Sequence, residues 1–144
     1  MMPTILGIDP GATGAIAQVQ PMVAVFDMPA TAHDLAALLR TFDAAATMAY
    51  VESQHSMPGQ GVASTFKFGV GYGTILGVLA ALGIAHRLVT PAVWKRGMGV
   101  TADKASARGL AQQLFPEASL ARVKDHGRAE SLLLAAWGLR QGGR

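Results

Sequence analysis

The sequence contains no cysteine. This absence excludes disulfide bridges, thiolate metal sites and cysteine nucleophiles, and it is compatible with a reducing compartment. Charged residues make up only 15% of the chain and aromatic residues only 6%, whereas apolar residues make up 51%. This balance excludes a disordered chain and is typical of a globular protein. The 144 residues are predicted to form a single domain, residues 1–144, with a substantial core.

The sequence also lacks a basic start followed by a long apolar segment, so no secretory signal is predicted. Its longest apolar stretch, from Gly69 to Ile84, is interrupted by glycine and tyrosine and is too short to suggest a membrane span. We therefore expect no membrane partner. The expected location is the cytoplasm of a bacterium or of a phage-infected host, or else an organelle.

Positive charge is unevenly spread along the chain. The net charge is +3, and every lysine and arginine except Arg40 lies at position 67 or later. This modest basicity suits a polyanionic partner, although alone it is weak evidence.

Hydrophobic periodicity and turn residues predict five strands and several helices. The strands are expected at Thr4–Ile8, Gly14–Val19, Met22–Phe26, Thr47–Val51 and Ile84–Val89. The helices are expected after a Thr31 cap, at Val62–Leu82, from a Thr101 cap to Leu114 and at Gly127–Arg140, with a short helical turn at Pro91–Trp94. The tail Gly142–Arg144 is expected to fray. An antiparallel start followed by crossovers predicts an α/β fold, in which helices flank a mixed sheet.

Three carboxylates stand at the ends of predicted elements. Asp9 follows an apolar run and precedes Pro10 and Gly11, Glu52 ends another strand-like run, and Glu130 lies at the start of the last helix. A charge at the end of a buried strand is costly unless it is compensated, and a divalent cation is the usual compensation. Taken singly, these residues could also be a turn aspartate, a solvated strand-end acid and an ordinary helix glutamate. Together they favour a metal-dependent nuclease.

A fourth ligand is expected from Asp125 or His126, which lie just before Glu130. His126 and Glu130 are four residues apart and so share a face of a continuous helix. The residues alone do not decide between the two candidates, and His126 could equally be a surface or capping residue. Two Mg²⁺ ions about 3.5–4 Å apart would activate a water molecule and stabilise the leaving 3′-oxygen.

The motifs occur in the order found in a known family. Gly7–Gly11, Val51–Ser53, Lys104 and Asp125–Ala135 resemble the corresponding segments of RuvC-like Holliday junction resolvases, above all those of the phage, prophage and organellar branch. The resemblance implies an RNase H-like fold with a mixed five-stranded sheet. It also implies a homodimer that nicks four-way DNA junctions symmetrically and requires Mg²⁺ or Mn²⁺, two ions per active site.

The resemblance also assigns residues. It implies that Asp9, Glu52 and Glu130 are catalytic metal ligands and that the fourth ligand is Asp125 or His126, because Gly127 occupies the position of the aspartate in many bacterial members. Lysines near the scissile phosphate or the junction backbone match Lys95 and Lys104, and Lys104 is assigned to the catalytic set.

Further DNA contacts are expected outside the acidic motifs. The basic candidates besides Lys95 and Lys104 are Lys67, Arg96 and Arg128. In the loop Ser53–Gly61, Gln60 could read a base edge. Phe66 and Phe68 could stack on bases or pack in a dimer seam, and the sequence does not decide between these. Trp94 is expected to be a core anchor rather than a base-stacking residue.

Other functions fit parts of the pattern. Asp9, Gly11, Thr13 and Gly14 also resemble the phosphate loop of actin-like kinases, which bind ATP. That fold needs a second lobe and a second phosphate loop, so no nucleotide cofactor is expected here. An RNase H-like nuclease acting on RNA or on other branched DNA, and a DNA-binding subunit without activity, remain alternatives.

Overall fold

Five strands form one mixed sheet in the computed structural model, which describes residues 2–55 and 57–144. Ser56, part of the predicted loop Ser53–Gly61, lies outside the described residues. Along the sheet the strand order is β3-β2-β1-β4-β5, with β2 antiparallel to both neighbours and β1, β4 and β5 parallel. This confirms the predicted α/β fold. The bounds are Thr4–Asp9 for β1, Ala15–Gln20 for β2, Ala24–Asp27 for β3, Thr47–Glu52 for β4 and Ala85–Val89 for β5.

Five α-helices in the described part of the chain flank the sheet. They are α1 at Ala32–Leu39, α2 at Val62–Ala81, α3 at Pro91–Met98, α4 at Lys104–Leu114 and α5 at His126–Arg140. The predicted cap of α1 is present, since the Thr31 hydroxyl accepts a hydrogen bond from the backbone N–H of Asp34 at 3.0 Å.

Two predictions for the region between β5 and α4 were wrong. The expected short turn is the full helix α3, because Thr90 caps its start and Gly99, with a φ of 71°, ends it in the left-handed region. Asp103, not Thr101, caps α4. Its carboxylate accepts from the N–H of Ala105 at 3.1 Å, whereas the Thr101 hydroxyl only accepts from the N–H of Asp103.

Alternation along the strands divides the core into two clusters, one on each face of the sheet. On one face, α1 and α2 cover Leu6, Ile8 and Val51. On the other, α5 together with residues of α3 and α4 covers Ile5 and Tyr50. Asp9 is four residues from Ile5, and Glu52 is two residues from Tyr50, so these acids lie on the same face of the sheet as Ile5 and Tyr50. The last side chain of β1 and the last side chain of β4 therefore point to the face that α5 covers.

The C-terminal tail is bound to the fold, which corrects the expectation that it frays. The Tyr50 hydroxyl donates to the carbonyl oxygen of Arg144 at 2.8 Å, and the backbone N–H of Gly143 donates to the carbonyl of Gly138 at 3.2 Å. The tail is therefore held against Tyr50 of β4 and the end of α5.

Helix α2 is mostly exposed. Only Ile75 and Leu79 among its twenty residues are buried. By length and composition it could cross a membrane, and it is the one helix in residues 2–55 and 57–144 that could. This corrects the argument that the segment is too short. Length and composition do not distinguish a membrane span from a helix covered by another chain.

Candidate active site

Three carboxylates converge at one edge of the sheet. Asp9, Glu52 and Glu130 each offer an oxygen atom, and these oxygens all lie within 4.8 Å of one another. The strand register explains the first two positions, because Ile8 of β1 lies beside Val51 of the parallel strand β4, and the next residue of each strand is the acid. Glu130 comes from the second turn of α5, which packs on the same face.

The start of α5 is held directly against the turn between β1 and β2. A Cβ atom at Gly127 would collide with the backbone carbonyl of Thr13, so only glycine permits this approach. The close packing fixes the first turn of α5 beside the end of β1. Glu130, one turn further along, is thereby brought to Asp9.

Burial and neighbouring negative charge raise the pKa of Asp9 and of Glu52. Burial is the main cause that raises the pKa of Asp9 well above its ordinary value, and the negative charges of Glu52 and Glu130 raise it further. Burial also raises the pKa of Glu52. Negative charge gathered in a partly buried site is costly without a cation, and an all-carboxylate donor set suits Mg²⁺ or Mn²⁺. The residues therefore fit a divalent cation.

Two neutral donors hold the carboxylate of Glu52. The indole N–H of Trp94 donates to Oε2 at 2.8 Å, and the side-chain amide of Gln54 donates to Oε1 at 2.9 Å. Trp94 is fully buried, as expected of a core anchor, but its contact with Glu52 was missed by the sequence analysis. No sequence pattern signalled this contact, because it depends on β5, which precedes Trp94, lying beside the strand that carries Glu52.

Both predicted lysines lie near the acids. The Nζ atom of Lys95 is 3.7 Å from Oε1 of Glu130, and its charge lowers the pKa of Asp9 and of Glu52 against the effect of burial. Lys104 is the first residue of α4, and its charge also lowers the pKa of Asp9. The positive charges are thus placed where a phosphate beside the acids would meet them.

The structure does not bring Asp125 or His126 into the acidic group, which differs from the expectation for a fourth ligand. Asp125 is 2% exposed and is turned toward Arg122, whose guanidinium lies 2.7 Å from Oδ1 and whose backbone N–H donates to Oδ2 at 2.9 Å. These bonds close a short 3-10 turn at Val123–Asp125. His126 begins α5, and its Nδ1 lies 3.4 Å from the carbonyl of Val123.

Arg128 occupies an ion pair rather than an open surface. Its Nε and Nη2 atoms donate to the two carboxylate oxygens of Asp27 at 2.7 and 3.0 Å, which joins α5 to β3. A DNA phosphate would therefore have to compete with Asp27 for this guanidinium. The other predicted basic contacts, Lys67 and Arg96, are exposed.

The loop after β4 forms the wall of a small cavity beside the acids. Gln60 stabilises this loop, because its side-chain oxygen accepts a hydrogen bond from the backbone N–H of Met57 at 3.1 Å. The side-chain amide of Gln60 donates to the hydroxyl of Ser64 at 3.4 Å. The cavity measures about 260 Å³ and is lined by Phe68 together with Gln54 and Gln60, among others. Phe66 instead points to the outside of α2 and is 73% exposed.

Comparisons with known proteins agree with the resemblance found in the sequence. The chain is 34% identical over 94 residues to the chloroplastic Holliday junction resolvase MOC1 of Chlamydomonas reinhardtii. The alignment covers 62% of this chain but 11% of that protein, so the chain spans about a tenth of its relative's length. No family model matches the chain.

Solved structures show the same fold. Thermus thermophilus RuvC in complex with a Holliday junction substrate superposes with a TM-score of 0.69 at 19% sequence identity, and covers 97% of this chain and 96% of the RuvC chain. A second Thermus thermophilus RuvC structure gives a TM-score of 0.66 at 19% identity, with 96% of each chain covered. The chain therefore has the RNase H-like fold of RuvC, and the predicted resemblance to RuvC-like Holliday junction resolvases is confirmed.

Proposed function

We propose that the protein is a structure-selective endonuclease that resolves four-way DNA junctions by paired, metal-dependent nicks. The observation that carries this proposal is the convergence of Asp9, Glu52 and Glu130 within 4.8 Å on a RuvC-like fold. The similarity of the sequence to a Holliday junction resolvase supports four-way junctions as the substrate. Residues 1–144 would form the single nuclease domain.

The three carboxylates would hold two Mg²⁺ or Mn²⁺ ions. When bound, these cations would lower the pKa of a nucleophilic water and neutralise charge on the scissile phosphate. His126, one turn before Glu130 on α5, would become the fourth ligand only if its imidazole turned from the Val123 carbonyl toward the acids, whereas the Asp125 carboxylate is bound to Arg122. The proposed products carry a 5′-phosphate and a 3′-hydroxyl.

The lysines beside the acids would position the DNA strand. Lys95 pairs with Glu130 and Lys104 opens α4, so two positive charges lie near the acids. A phosphate that enters the site would lose part of its hydration. The attraction of the two lysines would compensate for this loss. Lys67 and Arg96, both exposed, would contact the phosphates of the junction arms further away.

A homodimer would supply the second nick, because one active site makes one cut. The outer face of α2 supports this assembly, because it carries the exposed apolar side chains of Val62, Phe66 and Val70, which are 89%, 73% and 54% exposed. Gly69 follows Phe66, and Gly73 follows Val70, at a spacing of three residues, so both glycines lie on this face of the helix. A Cβ atom at either glycine would meet nothing within 4 Å in the isolated chain, which leaves room for the backbone of a second copy. The assembly would act wherever DNA junctions form, in the cytoplasm or in an organelle.

A cleavage assay with mapped products tests this function. Synthetic four-way junctions, each labelled on one strand, are incubated with the full chain in Mg²⁺ or in EDTA, with linear duplex and RNA–DNA hybrid as competing substrates. We expect Mg²⁺-dependent nicks at symmetric positions in opposed strands. The substitutions Asp9→Asn, Glu52→Gln and Glu130→Gln should reduce the rate at least about 100-fold while junction binding persists.

The matched control is Glu117→Gln, which removes an exposed acid of the linker between α4 and α5. This variant should cut like the parent chain. Preferential cleavage of RNA–DNA hybrid would identify an RNA-directed nuclease instead, and full activity of Asp9→Asn would overturn the assignment of the site.

A further inference from the structure

Glu52 is the least exposed of the three acids, and both oxygens of its carboxylate are held by hydrogen bonds. It is 8% exposed, and each of its oxygens already accepts a hydrogen bond from a neutral donor. The two donors differ in rigidity. Gln54 lies in the loop after β4, whereas Trp94 lies in a helix and is completely buried.

The position of Trp94 follows from the sheet. Val89, the last residue of β5, is the register partner of Glu52, and α3 begins two residues later at Pro91 under the Thr90 cap. The first turn of α3 therefore lies beside the end of β4. Trp94 belongs to the buried cluster beneath α5, so its ring cannot rotate without displacing the core.

A buried indole N–H needs an acceptor, because an unpaired donor that has lost its hydration destabilises the folded state. Glu52 Oε2 is the acceptor that Trp94 has. The bond occupies one lone pair of Oε2 and leaves the other free to bind a cation.

We propose that Trp94 is a positioning residue that orients the Glu52 carboxylate for divalent-cation binding through its indole N–H. The inference rests on the proposed function, since it assumes that the three acids bind a cation. Metal sites commonly depend on such supporting donors, whose removal weakens metal affinity by about 10–100-fold. Helix α3 then serves two acids with consecutive residues, because Lys95 faces Glu130 while Trp94 holds Glu52.

The test compares the same substitution at the two tryptophans of the chain. Trp94→Phe keeps an aromatic ring but removes the N–H. Trp137→Phe is the matched control, because Trp137 is also buried and packs edge-to-face on Tyr50 without contacting Glu52. Mn²⁺ binding is measured by electron paramagnetic resonance of the free ion, and folding by circular dichroism. We expect the Kd for Mn²⁺ to rise about 10–100-fold in Trp94→Phe and to stay within about threefold in Trp137→Phe.

A second readout keeps Trp94 in place, so it does not depend on how Trp94→Phe folds. In the Trp137→Phe chain, Trp94 is the sole tryptophan, so the fluorescence reports on Trp94 alone. Titration with Mg²⁺ should change this emission, and the Mg²⁺ affinity from its midpoint should match the affinity obtained when Mg²⁺ competes with bound Mn²⁺. In the Trp94→Phe chain, the emission of Trp137 should not respond.

Two results overturn the inference alone: unchanged Mn²⁺ affinity in folded Trp94→Phe, and emission of Trp94 that ignores saturating Mg²⁺. Absence of Mn²⁺ binding in the parent chain would instead overturn the metal site, and with it both proposals. The two failures are therefore distinguishable.

Discussion

Gly7 in β1 lies so close to Ser131 in α5 that a Cβ atom at position 7 would collide with the carbonyl oxygen of Ser131. It would also lie 2.6 Å from the backbone nitrogen of Ala135. Backbone packed against backbone cannot move aside as a flexible side chain can. The distance between β1 and α5, and hence between Asp9 and Glu130, is set by this contact.

Gly7→Ala should therefore destabilise the protein and separate the acids. Inserting a methyl group into a tightly packed core costs about 1–3 kcal/mol, and Tm should fall by roughly 2–4 °C for each kcal/mol lost. Thermal unfolding monitored by circular dichroism measures the stability, and Mn²⁺ affinity measures the site. Both should decrease.

The control for this change is Gly109→Ala in α4, where a Cβ atom would meet nothing within 4 Å. This substitution should leave stability unchanged or raise it by about 0.5–1 kcal/mol, because alanine favours the helix. If Gly7→Ala were as stable as Gly109→Ala, the close approach of α5 to β1 would be incorrect.

Asp9→Asn should stabilise the chain in EDTA at neutral pH. The pKa of Asp9 is raised in the folded state, chiefly by burial and then by the charges of Glu52 and Glu130. Between the unfolded and the folded pKa the native state holds more protons, so stability falls as the pH rises through that window. Asparagine removes this penalty, and the Tm difference between variant and parent should close in acid.

Adding Mg²⁺ or Mn²⁺ should reverse the order of the two chains. A ligand that binds only the folded state raises Tm, and the parent chain has the better site. Thermal melts over a pH series, with and without the cation, measure both effects. A parent chain more stable than Asp9→Asn in EDTA at neutral pH would contradict the electrostatic argument.

The sequence predicted the strands well because each is a short apolar run that ends at a turn signal. It also predicted that Asp9, Glu52 and Glu130 would approach one another, since two follow strands and the third opens a helix. It could not give the side chains that surround them. The bond from Trp94 to Glu52 joins residues 42 positions apart, and it depends on β5 lying beside β4.

The fourth-ligand prediction illustrates a different limit. Asp125 and His126 are adjacent in the sequence, and helical spacing links His126 to Glu130, but spacing does not reveal a competing partner. Arg122 lies three residues before Asp125 and forms a local ion pair with it. Local bonds of this kind depend on the backbone turn at Val123–Asp125, which the sequence analysis did not predict.

Asp125→Asn should lower stability without weakening metal binding. In the folded state the hydrogen bond from the Arg122 guanidinium has the largest effect on the pKa of Asp125 and lowers it. Burial has the next largest effect and acts in the opposite direction, by raising this pKa. A lowered pKa contributes stability that is present above the unfolded pKa and is lost as the pH falls through the folded pKa. The Tm difference between Asp125→Asn and the parent chain should therefore be largest at neutral pH and should disappear in acid.

Arg122→Gln provides the comparison for Asp125→Asn, because it removes the other partner of the same pair. The two substitutions combined should cost less than the sum of the single changes, as expected for residues in direct contact. Mn²⁺ affinity should remain that of the parent in all three chains. A large loss of Mn²⁺ affinity in Asp125→Asn but not in Arg122→Gln would make Asp125 a ligand after all.

Phe66→Asp should convert the proposed homodimer into a monomer and leave the active site intact. Phe66 is 73% exposed on the outer face of α2, so a charge there costs nothing in the isolated chain but would be buried unpaired between two copies. Sedimentation velocity measures the assembly, and the junction assay separates singly nicked from doubly nicked products. The variant should give single nicks.

Val123→Asp, which places the same charge at another exposed apolar residue outside α2, should remain dimeric and cut both strands. If Phe66→Asp stayed dimeric but lost junction binding, Phe66 would stack on DNA bases rather than on its own copy.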